Sequence, residues 1–243
     1  MLSAKDIAKM IDHSLLRPEL TKEDVLAGCA VAKKYDVASV CVKPADVKIS
    51  AQALKGTDVM TTTVVGFPHG SSTTEVKVFE TNKAIEDGAV EIDMVLNYGR
   101  LRSGDIEYVE NDVKAVVDAA HARNVIVKVI FENCFLTDEE KITACQLSTR
   151  AGVDFVKTST GFGTGGATIS DLKLMRENCP QNIEVKAAGG VRTLDNALAV
   201  RSVGVTRFGA TATESIMDDA KARQAEGTLS DIEKGTGTLA SGY

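Results

Sequence analysis

The sequence predicts an α/β fold, a single (β/α)8 TIM barrel with an extra N-terminal helix. Short runs of apolar and β-branched residues alternate with amphipathic segments along nearly the whole chain, and eight such runs can be recognised. The chain has 243 residues, 44% of them hydrophobic, so it is long enough to bury a large core as one domain. Eight β/α units in a chain of this length favour a closed barrel over a doubly wound sheet.

The elements can be assigned in chain order. "SAKDIAKM" is a short helix that we expect to cover the bottom of the barrel. The candidate strands are "MIDHSLL", which is the weakest, and then "VASVCV", "VMTTTVVGF", "AVEIDMVLN", "VIVKVIFE", "VDFVKTS", "IEVKAAG" and "VTRFGA". The last segment, 225–243, is polar and glycine-rich, so we expect a mobile tail of the single domain 1–243 and not a second domain.

Two of the intervening helices have recognisable starts. Ser72 and Glu75 have the spacing of a capping box before "VKVFETNKAIEDG", and Thr137 and Glu140 have the same spacing before "KITACQLSTRAG". Both segments end at a glycine, as helix C-termini often do. These signals place helices after the third and fifth candidate strands.

Charge and hydropathy exclude several kinds of partner. The 28 basic and 34 acidic side chains leave a net charge of −6, and no basic block could follow a nucleic-acid backbone. No apolar stretch approaches the roughly 20 residues that span a bilayer, and "MLSAKDIAKM" lacks the apolar core of a secretory signal. We therefore expect neither nucleic acid nor membrane as a partner, and a cytoplasmic location.

The cysteines and histidines give little support for a metal site. Five cysteines form an odd set without a CxxC pair, which favours reduced, buried thiols. Only Cys41, near the end of an apolar run, is a candidate for lining a substrate site, and a core thiol is the favoured alternative. The histidines are His13, His69 and His121, and the last lies in a polar helical setting. We expect no metal and no other cofactor.

Strand periodicity sends charged side chains into the barrel. Successive side chains on a strand point to opposite faces, one under the helices and one inside. In "AVEIDMVLN" the set Val90, Ile92, Met94 and Leu96 is wholly apolar, so it should face the helices. Glu91 and Asp93 must then point inward. The same reasoning sends Lys128 of "VIVKVIFE" inside.

Two further strands carry lysines near their carboxyl ends. In "IEVKAAG" the apolar residues take the outer face, which leaves Glu184 and Lys186 inside. "VDFVKTS" alternates less clearly, but an inward Lys157 is consistent with the other strands. The sequence thus predicts a barrel interior in which acids and lysines lie together.

Buried charges need partners, so an ion-pair network that holds the barrel layers is the favoured interpretation for Glu91 and Glu184. Lys157 and Lys186 differ because both end their strands before glycine loops, where barrel enzymes place their chemistry. Only about one free lysine in 2,500 is unprotonated at pH 7. Partial burial and a neighbouring ammonium lower a lysine pKa, so the two residues suggest a Schiff-base pair. Asp93, at the matching height, is the candidate proton-handling carboxylate.

Glycines after the last strands suggest a phosphate site. Small residues there let backbone N–H groups approach a ligand phosphate near a helix N-terminus. The candidates are Gly189, Gly190 and Gly209, with Gly161 in the loop after Lys157 and a hydroxyl from Thr211. Turns also use glycine for backbone freedom alone, which is the competing interpretation.

Four motifs together resemble the deoxyribose-phosphate aldolase family. They are "VEIDMVLN", "VKTSTGF", "VKAAGGVR" and "RFGAT", in the family's order and spacing, and "IDHSLL" is similar to its opening segment. The resemblance covers nearly the whole chain. It implies a class I aldolase that reversibly cleaves 2-deoxyribose 5-phosphate to acetaldehyde and glyceraldehyde 3-phosphate. The expected partners are therefore a small sugar phosphate and aldehydes, and a homo-oligomer is left open.

The resemblance also implies roles for individual residues. Lys157 is the Schiff-base lysine, Lys186 the activating cation, and Asp93 the residue that relays protons through water. Lys128 belongs to the surrounding charge network. Thr211 and Ala212 stand where some family members have two serines, and Phe162 supplies no charge, so phosphate binding is expected to depend on backbone amides and a helix end.

The tail suggests one more candidate. "KGTGTLASGY" is glycine-bearing and ends in Tyr243, whose phenol could close over the barrel mouth and carry a proton. A frayed terminus with an incidental aromatic is the alternative.

Two other functions are weighed against the aldolase. "GFGTGG" contains G-x-G-x-x-G at Gly161, Gly163 and Gly166, which would suit a dinucleotide-binding module. The motif lies in the sixth unit and not the first, and Glu184 lies in mid-strand, so the match is weak. A sugar-phosphate-binding barrel without catalysis is the third possibility.

Overall fold

The computed structural model describes residues 2–237 and 239 and contains one closed, all-parallel barrel, as predicted. Its strands follow chain order around the barrel, and β8 pairs with β1. They are β1 (Ile11–Leu15), β2 (Ser39–Val42), β3 (Met60–Val65), β4 (Glu91–Val95), β5 (Ile126–Ile130), β6 (Phe155–Lys157), β7 (Glu184–Ala188) and β8 (Arg207–Ala210). No helix in the described part of the chain is long and apolar enough to cross a membrane.

Helices surround the barrel. They are α1 (Ala4–Ala8), α2 (Lys22–Tyr35), α3 (Val47–Ala53), α4 (Thr74–Glu86), α5 (Tyr98–Arg102), α6 (Ile106–His121), α7 (Asp138–Ala151), α8 (Ile169–Glu177), α9 (Leu194–Ser202) and α10 (Thr213–Ala225). Short 3-10 turns span Pro44–Asp46 and Asn133–Phe135. Helix α1 is the predicted extra helix. It packs against α10, where the Ala4 N–H donates to the Gln224 side chain at 2.5 Å.

One of the two predicted helix caps is confirmed. The Thr137 hydroxyl accepts from the Glu140 N–H at 3.2 Å, and the Glu140 carboxylate accepts from the Thr137 N–H at 2.8 Å. The predicted cap at Ser72 is wrong, because α4 begins one residue later, after Thr73. At that start the Thr74 hydroxyl donates to Asp112 of α6 at 2.8 Å, a tertiary contact that a local pattern cannot reveal.

Strand register stacks the inward side chains in layers of four, drawn from alternate strands. The lowest layer is Ser39, Glu91, Phe155 and Arg207; the middle layer is Asp12, Thr62, Lys128 and Lys186; the upper layer is Cys41, Asp93, Lys157 and Gly209. Charged groups thus fill the centre of this barrel, where apolar branched residues usually dominate.

The predicted directions hold for most of these side chains. Glu91, Asp93, Lys128, Lys157 and Lys186 are all buried. Glu184 is a correction: it lies half-buried at the start of β7 and makes no ion pair with any described residue, so the structural network does not include it. Val90 precedes β4 and is 43% exposed, whereas the next three outward residues are fully buried.

Candidate active site

A cavity of about 160 Å³ opens at the carboxyl ends of the strands. Lys157, Lys186 and Asp12 reach it from inside the barrel, and the loops after β6, β7 and β8 surround it. The five predicted phosphate-site residues all line it: Gly161, Gly189, Gly190, Gly209 and Thr211. Cys41 lines it too, and burial raises the pKa of its thiol to about 11, so the thiol is neutral at pH 7.

One carboxylate below this cavity contacts three lysines. Oδ2 of Asp93 lies 2.7 Å from Nζ of Lys157 and 2.7 Å from Nζ of Lys186, and Oδ1 lies 3.0 Å from Nζ of Lys128. Burial raises the pKa of Asp93, but the three ammonium groups outweigh it and hold this pKa well below its usual range. Asp93 is therefore an anion at neutral pH.

Asp12 is a site residue that the sequence analysis missed. Its carboxylate contacts Nζ of Lys186 through Oδ2, and through Oδ1 it accepts from Arg207 and from the Ser39 hydroxyl, both at 2.6 Å. The signal was present, because alternation in "IDHSL" sends Asp12 and Ser14 inward and the three residues between and beside them outward.

The two cavity lysines have opposite pKa shifts. Burial disfavours both ammonium groups, but Asp12 and Asp93 together outweigh it at Lys186, so the pKa of Lys186 is raised. At Lys157 burial is the largest influence, Asp93 opposes it, and the Lys186 charge adds to it, so the pKa of Lys157 is lowered. Burial, more than the neighbouring charge of Lys186, thus accounts for the lowered pKa of Lys157.

Glu91 of the lowest layer and Lys128 of the middle layer belong to a structural ion-pair network, as predicted. Their side chains lie 2.5 Å apart, and Arg207 contacts the other oxygen of Glu91 at 3.0 Å. Arg207 was not singled out from the sequence. The Phe155 ring lies beside both cations, with its centroid 5.7 Å from Lys128 Nζ and 5.6 Å from the Arg207 guanidinium.

Comparisons with known proteins agree with this arrangement. Residues 7–213 match the sequence model of the DeoC/LacD family aldolases. The chain belongs to this aldolase family. It is 52% identical over 217 residues to a deoxyribose-phosphate aldolase of Clostridium perfringens, covering 89% of this chain and 96% of that protein. It is 54% identical over 217 residues to one of Bacillus mycoides, covering 89% and 97%.

Solved structures give the same result. A deoxyribose phosphate aldolase from Aeropyrum pernix, described as tetrameric, superposes with a TM-score of 0.84 at 30% identity, covering 90% of this chain and 93% of that one. An aldolase named QR15 superposes with a TM-score of 0.86 at 32% identity, covering 91% and 98%.

In this aldolase the glycines of "GFGTGG" serve close packing of loops. A Cβ on Gly166 would lie 2.9 Å from the Gly189 carbonyl carbon, and a Cβ on Gly163 would lie 2.9 Å from the Glu132 carboxyl carbon. The next residue, Ala167, donates its N–H to the Ala188 carbonyl at 2.9 Å. These contacts explain the motif without a dinucleotide, since the glycines approach protein backbone and side chains.

A cation also lines the aldolase cavity. Arg192 lies among the lining residues, in the loop between Gly190 and the start of α9. That phosphate binding depends on backbone amides and a helix end stays a prediction, to which Arg192 adds a cationic candidate. Sequence reasoning read "GGVR" for its glycines and passed over the arginine.

Tyr243 lies outside the described residues. Of the described tail residues, Gly237 lies close to Ala199 of α9, and Leu239 lines a second cavity together with Gly165 and Gly166. Among described residues, no group of three or more His, Cys, Asp or Glu side chains could hold a metal ion.

Proposed function

We propose that this chain is a deoxyribose-phosphate aldolase, which reversibly cleaves 2-deoxy-D-ribose 5-phosphate to acetaldehyde and D-glyceraldehyde 3-phosphate through an imine on Lys157. One observation carries the proposal: Lys157 lines the cavity with a lowered pKa and shares the carboxylate of Asp93 with a permanently charged Lys186. An aldolase that works without a metal needs a neutral amine of this kind, because the iminium that it forms with the substrate takes the place of a Lewis acid.

The first step forms the iminium. The neutral Lys157 amine attacks the C1 aldehyde of the open-chain sugar, and loss of water leaves a positively charged C=N bond. Lys186 disfavours charge on the free amine and stays protonated itself. The Asp93 carboxylate, 2.7 Å from the Lys157 nitrogen, then offsets the charge of the iminium.

The second step breaks the bond between C2 and C3. A base removes the proton of the C3 hydroxyl, the electron pair of the C2–C3 bond moves toward the iminium, and C3 leaves as the aldehyde of glyceraldehyde 3-phosphate. The resulting enamine is protonated at C2, and hydrolysis of the imine releases acetaldehyde. Because the pKa of Asp93 is held low, it moves protons by orienting water and does not store one.

The loops after β7 and β8 supply the phosphate site. Gly189 and Gly190 have positive φ values of 79° and 88°, a conformation that glycine adopts without strain. Helices α9 and α10 begin a few residues after these loops, so their N-terminal dipoles favour an anion. Arg192 and the Thr211 hydroxyl complete the set.

Tyr243 is proposed to transfer a proton at the enamine carbon. Leu239 lines the same second cavity as Gly166, which packs against Gly189 at the edge of the substrate cavity. Tyr243 follows Leu239 by four positions in the sequence, and four extended residues reach about 14 Å. That reach supports a role for the phenol.

Location and assembly are also proposals. We infer a cytoplasmic enzyme that binds no nucleic acid, and a homo-oligomer, which the tetrameric relative from Aeropyrum pernix supports. On α4, the apolar side chains of Val76 and Phe79 are 52% and 74% exposed, as expected of a subunit contact. Light scattering coupled to size exclusion tests this, and a monomer at micromolar concentration would contradict it.

Imine trapping tests the proposed function. The protein is incubated with acetaldehyde and borohydride, and the modified peptide is mapped by mass spectrometry. We expect one stable ethyl adduct per chain, on Lys157, and cleavage of 2-deoxyribose 5-phosphate by the untreated protein. An adduct confined to Lys186 would overturn the assignment of the nucleophile, and binding without turnover would leave a silent sugar-phosphate barrel.

A further inference from the structure

Glu132 follows β5 at the upper edge of the barrel, and both its burial and its backbone conformation are unusual for a glutamate. Its side chain is buried, with 2% of the residue exposed, and its backbone lies in the left-handed region at φ 58° and ψ 61°. A residue with a Cβ adopts this region at an energetic cost, which persists only when surrounding contacts require it. None of the steps described above uses this carboxylate.

Its contacts are directed at one residue of the substrate cavity. The Thr160 N–H donates to Oε1 of Glu132 at 3.2 Å, and the Thr160 hydroxyl donates to Oε2 in a short contact. The same hydroxyl oxygen accepts from the Phe162 N–H at 3.0 Å. Thr160 is buried and lines the cavity together with Lys157.

These bonds fix the direction of the Thr160 hydroxyl. A hydroxyl has one proton and two lone pairs. The proton is donated to Glu132 and one lone pair is taken by Phe162, so only a lone pair is left for a molecule in the cavity. Toward a ligand, Thr160 is then an acceptor and not a donor.

The protonation state of Glu132 decides this direction. Burial raises the pKa of Glu132 above its usual value, and the two hydrogen bonds from Thr160 and the charge of Lys157 offset only part of this rise. As an anion Glu132 can only accept, whereas a neutral amide in its place would present an NH₂ group to one of the two Thr160 donors.

We propose that Glu132 is a positioning residue that makes Thr160 a hydrogen-bond acceptor for a hydroxyl of the substrate, and thereby selects acceptor aldehydes that carry a hydroxyl beside the carbonyl. The inference rests on the proposed aldolase function. An aldehyde that lacks this hydroxyl leaves the Thr160 lone pair unpaired in a buried site, which disfavours its transition state.

The test compares two acceptors that share a phosphate. Condensation of acetaldehyde is measured with D-glyceraldehyde 3-phosphate and with the phosphate ester of 3-hydroxypropanal, which lacks the 2-hydroxyl. For Glu132→Gln we expect the ratio of the two kcat/KM values to fall about tenfold, the size of one hydrogen bond. Borohydride trapping of acetaldehyde on Lys157 should change less than about twofold, because that donor carries no hydroxyl.

Two further variants sharpen the test. Glu139→Gln removes the same charge from an exposed position at the start of α7 and should leave the ratio unchanged. Thr160→Val should lower the ratio as much as Glu132→Gln does, and the double variant should lower it no further, since both act through one hydroxyl. If Glu132→Gln does not fold, Thr160→Val carries the same comparison.

Several outcomes would overturn the inference. They are an unchanged ratio, an equal loss with both acceptors, loss of imine trapping in Glu132→Gln, or effects that add in the double variant. Failure of the proposed function is distinguishable, because the parent protein would then show neither Lys157 trapping nor turnover with either acceptor.

Discussion

Two buried lysines of this protein, Lys157 in the barrel and Lys77 between α4 and α6, share most of what is thought to mark a reactive amine. Lys77 is fully buried, and burial lowers its pKa despite the opposing charge of Asp112. Lys157 is 3% exposed, and its pKa is also lowered, chiefly by burial. Burial and the direction of the pKa shift therefore do not distinguish the two.

Their partners distinguish them. Among the described residues, Lys77 is the only cation that pairs with Asp112, with Nζ 2.5 Å from the carboxylate, and it donates to the Val95 carbonyl at 3.0 Å. Lys157 shares Asp93 with two other lysines and lines a cavity. We infer that a buried lysine of this protein is reactive where several cations share its carboxylate and a substrate can reach it, and structural where neither condition holds.

The largest expected effect separates the two lysines directly. Lys157→Met should lower kcat by at least about 10⁴-fold, since it removes the proposed nucleophile, and should abolish borohydride trapping. Lys77→Met, assayed under conditions where it is folded, should still form the adduct on Lys157. Trapping lost in Lys77→Met, or retained in Lys157→Met, would break the comparison.

Stability should show the reverse pattern. Lys77→Met leaves Asp112 buried without its cation, so the free energy of unfolding should fall by about 3–5 kcal/mol. Lys77→Met with Asp112→Leu should recover most of this loss, because both charges are then absent. Denaturant titration measures both. A stable single variant would mean that water already reaches Asp112.

The effect of Lys186, which shares Asp93 with Lys157, can be tested through the pH dependence of imine formation. Lys186→Leu removes a charge that lowers the pKa of Lys157. It also leaves Asp93 with two lysine partners in place of three. Both changes raise the pKa of Lys157. The amine must be neutral to attack, so the alkaline pH needed for imine formation should move upward. The measurement is the initial rate of borohydride trapping as a function of pH. An unchanged profile would contradict the proposed role of Lys186 in lowering the pKa of Lys157.

The proposed role of Tyr243 gives the smallest expected effect. Tyr243→Phe should lower turnover about tenfold or more, consistent with loss of one proton-transfer group. Affinity for a phosphate ligand and the melting temperature should remain near those of the parent. Parent-like turnover, with unchanged exchange of the enamine protons with solvent, would remove the tail from the chemistry.

The sequence was most informative where side chains alternate strictly. Glu91, Asp93 and Lys128 could be placed inside the barrel because their neighbours on each strand are wholly apolar. Asp12 escaped because its strand carries His13 on the outward face, where the ring lies 2.8 Å from the Thr213 hydroxyl. That partner is 200 residues away in sequence, and no local pattern contains it.

The remaining misses have similar causes. Glu184 has the right parity but lies at the first residue of its strand, near solvent, so parity alone overstated its burial. Glu132 lies beyond the end of β5, where the period of two stops and the backbone turns left-handed. Its partner Thr160 belongs to the next unit of the barrel, so only the closed fold brings them together.

The contact between Gly166 and Gly189 has a consequence for redesign of the enzyme. Because a Cβ on Gly166 would lie 2.9 Å from the Gly189 carbonyl carbon, the loop after Lys157 cannot gain a side chain at this point without displacing the loop after Lys186. The segments that follow Lys157 and Lys186 therefore behave as one mutational unit. A library built to widen the range of accepted aldehydes should hold these two glycines fixed and diversify both loops together. If only one loop is varied, the library retains only those variants that fit the unchanged conformation of the other loop.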